Sequence, residues 1–262
     1  MNLAVSSLAW DQSNERQMFH LFEKSNISQV EIVFNKIKQW DSLTEEDVLR
    51  YRQKLDYHGL KAISAQSIFF GTNIELTDKE QIKNHFDKLI NYSKIIGLNY
   101  LVFGSPKMRK GASEDVRETL NAIDSLLDGT RIKLLLEPNA RNYGGNYWFD
   151  VKEIVQFLGD KYCNISTMLD LHNVLLENRN EHEDFIEYVD KINHIHVSEV
   201  NLGLLTNFHR HEKFAETLRK FHYQKTISYE VLKADGMIES INNFSRIYKN
   251  EQPKSSKYSK SH

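Results

Sequence analysis

The chain has 262 residues, with 34 Lys and Arg against 36 Asp and Glu and a formal net charge of -2. That balance excludes nucleic-acid binding driven by overall charge, and the single Cys163 excludes an intrachain disulfide. No apolar run reaches membrane-spanning length, and the opening MNLAVSSLAW lacks the basic start and long apolar stretch of a secretion signal, so the sequence predicts a cytoplasmic protein with no membrane association.

Short apolar runs alternate with helical patterns along the chain. Leu3–Ser7 and Gln29–Val33 are the first strand candidates, and Ser42–His58 then reads as a helix opening on a Ser42–Glu45 capping box. Strand Ala62–Ile68 precedes a helix over Thr77–Ile96 that stops at Gly97. Strand Tyr100–Phe103 precedes a helix over Ser113–Leu127, with Glu114 and Asp115 suited to its first turn. Strands Lys133–Glu137, Thr167–Leu171 and Ile192–Val197 follow, then a helix over Lys213–Phe221, strand Thr226–Glu230 and a last helix over Met237–Tyr248. Alternation of this kind predicts an α/β fold, a single (β/α)8 TIM barrel over residues 1–249. An open doubly wound sheet is the alternative, weakened because no Gly-x-Gly-x-x-Gly follows the first strand. Residues 250–262, NEQPKSSKYSKSH, predict a disordered polar tail rather than a basic interaction arm.

Four of the later strand candidates end on or near a metal-ligating residue type: Glu137, Asp170, His196 and Glu230. Parallel barrel strands bring their C-terminal ends to one mouth, so three carboxylates and an imidazole there predict one divalent metal. The oxygen-rich set favours Mn, Co or Mg over Zn. Such a metal acidifies the C–H beside a substrate carbonyl, and Glu137 and Glu230 become the catalytic pair, one removing a proton and the other returning it.

The order and spacing of the four ligands, with VFGSPKMR at 102–109, EPNARNYGGNYWF at 137–149 and HVSEVNL at 196–202, resembles the xylose-isomerase-like superfamily. The likeness runs from Ser6 to Lys233 and is strongest to its sugar phosphate isomerase/epimerase-like members, often linked to surface polysaccharide pathways. It is more distant to the tagatose and psicose 3-epimerases and to endonuclease IV. The resemblance implies a metal-dependent sugar or sugar-phosphate isomerase or epimerase that works through an enediolate. The chain departs from the 3-epimerases at Tyr143, Asn173 and Leu202, where those carry Glu, His and Arg. A lyase acting on a sugar-like polyol and a catalytically silent sugar-binding barrel are the other readings. A nuclease is disfavoured, because AQSIFF and VFGSP lack the histidines its zinc ions need.

The expected ligand is a small-molecule sugar or anionic sugar derivative, with no nucleic acid; a homo-oligomer is compatible with the sequence. Lys107 and Arg109 in the loop GSPKMRK are expected to meet an anionic handle. Gly104 is expected to let backbone approach the ligand. Asn139, Tyr143, His172 and His211 complete the substrate-contact candidates, with Trp10 as a ring for a sugar's C–H face. Glu31 reads equally as a sugar contact or an internal ion-pair partner, and Glu199 as structural.

Overall fold

The computed structural model describes residues 1–109, 113–233 and 235–249; Lys110 and the 250–262 tail expectation lie outside them. Strands β1 (Asn2–Ser6), β2 (Gln29–Ile32), β3 (Lys61–Ala65), β4 (Tyr100–Phe103), β5 (Lys133–Leu136), β6 (Ile165–Asp170), β7 (Ile192–Val197) and β8 (Thr226–Tyr229) form a closed barrel in chain order. Every pair is parallel, and Leu3 opposite Ile227 closes β1 onto β8. Helices on the outside cover the strands, so the fold is a single (β/α)8 TIM barrel. No helix among the described residues is long and apolar enough to cross a membrane.

Local chemistry sets the helix ends. The helix Glu45–Tyr57 starts on a reciprocal box between Thr44 and Asp47, not Ser42 and Glu45, because Ser42 belongs to the preceding 3-10 turn Trp40–Ser42. Asp78 caps Lys79–Ile96, and Gly97 ends it at φ 90°, a left-handed conformation suited to glycine. The helix expected from Lys213 begins instead at Phe208, because the Asn207 side chain accepts from the Arg210 N–H.

Alternation along the strands places the site. Val102, Leu135 and Met168, with Tyr100, form a small apolar cluster separate from the main core between barrel and helices. Two residues further along β4, β5 and β6 come Gly104, Glu137 and Asp170, and side chains two apart share a face. The same step carries β7 from His194 to His196 and β8 from Ser228 to Glu230. The ladder continues past the last strand residues: the Glu137 N–H donates to the Phe103 carbonyl at 3.2 Å and the Glu230 N–H to the Val197 carbonyl at 3.0 Å. The layer below the mouth is thus apolar along β4 to β6 and polar along β7 and β8, with ionisable side chains above it.

Candidate active site and metal centre

Glu137, His196 and Glu230 each offer a ligand atom within 4.8 Å of the others. Nδ1 of His196 lies 3.1 Å from a Glu137 oxygen and 3.1 Å from a Glu230 oxygen. Burial pulls the His196 pKa down, but Glu31, Glu230 and Glu137 outweigh it and hold the ring well above its ordinary value. Glu137 is raised by burial and by Glu230, against the pull of His196 and Arg109. Two carboxylates facing one imidazole nitrogen call for positive charge between them. The donor set of carboxylate oxygens and imidazole nitrogen fits a divalent ion.

The opposite edge of the His196 ring explains its orientation. Nε2 lies 2.9 and 3.1 Å from the two oxygens of Glu31, which is fully buried on β2. Glu31 also faces His194 Nε2 at 3.1 Å and accepts from Ser64 at 2.7 Å, Gln66 at 3.1 Å and Ser228 at 3.3 Å. Burial would raise its pKa, but His196 and His194 hold it well below the usual carboxylate range. A charged Glu31 keeps a proton on Nε2 and turns Nδ1 toward Glu137 and Glu230, as carboxylates behind metal-binding imidazoles do. Glu31 is therefore an internal partner and not a sugar contact. The alternation HIH, with two inward imidazoles, was the signal in the chain for this network.

Asp170 sits beside this group rather than in it. Its carboxylate caps its own helix, Leu171–Leu176, accepting from the His172 N–H at 2.9 Å and from the Asn173 amide. Burial, with Glu137 and Glu230 nearby, raises its pKa well above normal. The sequence expectation of four converging ligands thus corresponds here to a tight group of three with Asp170 turned onto Asn173. Asn173 in turn accepts from the Ala140 N–H at 2.9 Å, tying the loop after β5 to β6.

His172 and Tyr143 form a polar pair on the cavity wall. The Asn201 N–H donates to His172 Nδ1 at 3.0 Å, so the neutral ring carries its proton on Nε2. Burial lowers the His172 pKa, which keeps that neutral form. Nε2 then donates to the Tyr143 hydroxyl at 2.7 Å, leaving the phenolic O–H free to donate elsewhere. Asn139 also lines the cavity, and its buried Oδ1 has no hydrogen-bond partner. Gly104 has a different use from the one expected: a Cβ there would lie 1.7 Å from Glu137 Oε2. The missing side chain makes room for the carboxylate.

Three substrate-contact expectations are corrected. Arg109 is 1% exposed, and its guanidinium donates to the carbonyls of Phe103, Glu137 and Trp148 at 2.9, 2.6 and 3.3 Å. It lies against both the Phe103 and Trp148 rings, because the turn Pro106–Met108 folds the loop back and sends the side chain inward. Burial lowers its pKa to about 10, so it stays charged. His211 is fully buried, bonded through Nδ1 to the Tyr248 hydroxyl at 2.9 Å and through Nε2 to Glu199 at 3.2 Å. Burial pushes Glu199 up, yet His211, the N–H groups of Asn207 and Thr206, and Arg210 hold it at about 2. Trp10 packs edge-on against Phe19 and Phe22 beneath the helix Glu15–Lys24, away from the mouth. The side chain of Lys107 lies outside the described residues.

A cavity of about 760 Å³ stands over the group, with Glu137, Asp170 and Glu230 on its floor and Asn139, Tyr143 and His172 on one side. Gln66, Phe69, Phe70 and Asn201 also line it. In the sequence the two phenylalanines stand only as the end of the AQSIFF run, with no signal that they line a cavity.

Comparison with known proteins places this architecture. No curated protein matches the chain. The E. coli 3-keto-D-glucoside 4-epimerase in its apo form has a TM-score of 0.72 at 15% identity, over 95% of this chain and 99% of that one. A D-psicose 3-epimerase solved in the presence of D-fructose has a TM-score of 0.74 at 15% identity, covering 95% and 99%. A probable 3-DHS dehydratase from Bacillus anthracis has a TM-score of 0.74 at 13% identity, covering 96% and 100%. At such identities the likeness is one of fold. The sequence model of the xylose isomerase-like TIM barrels matches residues 19–246, and the chain belongs to that family.

Proposed function

We propose that this barrel is a divalent-metal-dependent isomerase or epimerase acting on a sugar or sugar derivative. The carrying observation is that Glu137 and Glu230 reach the same nitrogen of His196, each at 3.1 Å, on the floor of an open cavity. Glu137, His196 and Glu230 would hold the ion, with Asp170 joining once its carboxylate leaves Asn173. A bound divalent ion supplies Lewis acidity at the substrate's carbonyl and neighbouring hydroxyl. Glu31 keeps His196 in the tautomer that presents Nδ1. Glu137 and Glu230 serve as the base and acid: one takes the proton from the carbon beside the carbonyl, and the other gives a proton back. The Tyr143 O–H, its oxygen already accepting from His172, donates to a substrate oxygen.

A lyase is the second reading, supported by the fold likeness to the dehydratase. The same C–H cleavage becomes elimination when a β-hydroxyl leaves as water. Incubating Mn2+-loaded protein with a panel of aldoses, ketoses and keto-sugars in deuterated water tests both. Deuterium at a carbon beside the carbonyl is the result expected for the isomerase, and loss of water with an unsaturated product supports the lyase. Mn2+ binding with no exchange and no elimination across the panel favours the silent binding barrel.

A further inference from the structure

We infer that the substrate carries an uncharged, apolar group of about the size of an aryl ring beside its reacting carbons. This deepens the sugar-isomerase reading and rests on it. The volume of about 760 Å³ exceeds what one sugar ring fills and lies in the upper part of the ordinary range for ligand pockets, roughly 300–1,000 Å³.

The lining combines two chemistries. The floor is carboxylate, with Glu137, Asp170 and Glu230. Above it, among polar neighbours, stand apolar side chains from several loops: Phe69, Phe70 and Ile74 after β3, Met108 after β4, and Leu202 and Leu232 after β7 and β8. Phe70 is 68% exposed and Leu232 51% exposed, both at the cavity. Large apolar side chains left in water beside a reactive floor gain most from a ligand that covers them.

Among the described residues lining the cavity, none is Lys or Arg. Arg109, expected with Lys107 to meet an anionic handle, turns Nη1 and Nη2 onto backbone carbonyls instead. Lys36 and Lys233 both pair with Asp11, at 3.1 and 2.9 Å. A floor rich in carboxylates favours an uncharged substituent on the apolar part of the lining.

The lining is also built in advance. Ser67, Asn201 and Leu202 hold positive φ of 54°, 62° and 53°, uncommon for side chains with a Cβ. Hydrogen bonds hold each of them: the Phe70 N–H to the Ser67 carbonyl at 2.9 Å, the Asn201 N–H to His172 at 3.0 Å, and the Leu232 N–H to the Leu202 carbonyl at 3.1 Å. Backbone strain held by such contacts marks a surface fixed for a ligand.

Calorimetric titration tests the inference, using Mn2+ alone and then Mn2+-loaded protein with glucose, glucose 6-phosphate and phenyl β-glucoside. The expected result is that phenyl glucoside binds at least about tenfold more tightly than glucose, while the phosphate gains nothing. Phe70→Ala combined with Leu232→Ala removes that advantage and leaves the Mn2+ titration unchanged. Tightest binding of glucose 6-phosphate, equal or absent binding of all three, or a phenyl preference that survives the double substitution overturns the inference. A missing Mn2+ isotherm with the phenyl preference intact overturns the metal reading and leaves this one standing.

Discussion

The two halves of the barrel do different work. Glu137, Asp170, His196 and Glu230 stand at or next to the C-terminal ends of strands β5 to β8, so the second half supplies the ionisable floor. Strands β1 to β4 supply what stands around it: Glu31 against the far edge of His196, Gly104 beneath Glu137, and Phe69 and Phe70 in the cavity lining. The comparison teaches that identical strand geometry carries two kinds of information. Residues that meet a ligand need only the right chemical type at a strand end. Residues that hold those groups need a specific neighbour from another strand.

Substitutions in the second half should show the largest effects. Glu137→Gln or Glu230→Gln is expected to lower deuterium exchange about 10²- to 10⁴-fold, the range for losing a positioned proton carrier. The Mn2+ isotherm should weaken as well, since each side chain is also a candidate ligand. Exchange within threefold of the parent would shift the proton carriers elsewhere, for example to the His172–Tyr143 pair.

In the first half, His85 gives a large effect on stability rather than chemistry. It stacks on Phe69 with ring centroids 5.0 Å apart and bonds the Ile68 carbonyl at 2.8 Å. Burial lowers its pKa from 6.5 to about 4. As pH falls, the unfolded chain takes up this proton first, so the stabilising effect is complete above pH 6.5 and declines toward pH 4. The loss across that window should be about 3 kcal/mol, seen in urea midpoints and flattened in His85→Phe.

Glu31→Gln asks whether the first half governs the chemistry of the second. Metal affinity should fall about 10- to 100-fold while the fold is retained, because Gln cannot hold Nε2 protonated as a carboxylate does. An unchanged isotherm would make Glu31 an ion-pair partner only. Gly104→Ala is a finer probe. Its new methyl group must displace the Glu137 carboxylate, so exchange should drop about tenfold or more with little change in Tm. Tyr143→Phe should have the smallest effect, about five- to tenfold on kcat/KM, the cost of one hydrogen bond to an uncharged group.

Legibility in the sequence followed the same division. All eight strands and the Glu137, Asp170, His196 and Glu230 positions were visible, because period-two alternation and strand ends are local signals. Arg109 was misread because a basic loop looks the same whether its guanidinium faces water or folds back under a 3-10 turn. His211 was misread because its partners, Glu199 and Tyr248, come from distant segments. The turn of Asp170 toward Asn173 depends on a helix cap that would compete with a bound ion for the same oxygens. These are choices between partners, and a single sequence records residues and not their partners.

The placement of Arg109 has a consequence for motion. Its guanidinium joins the end of β4, the carbonyl of Glu137 and the Trp148 loop, while its own carbonyl accepts from the Asn146 N–H at 2.8 Å and the Trp148 carbonyl accepts from the Asn139 N–H at 3.1 Å. Two loops pinned by one buried cation cannot open separately. Their amide hydrogens should exchange with solvent as one cooperative unit, with a shared opening free energy for Arg109, Asn139 and Asn146. On this side the two loops behave as a single lip of the mouth.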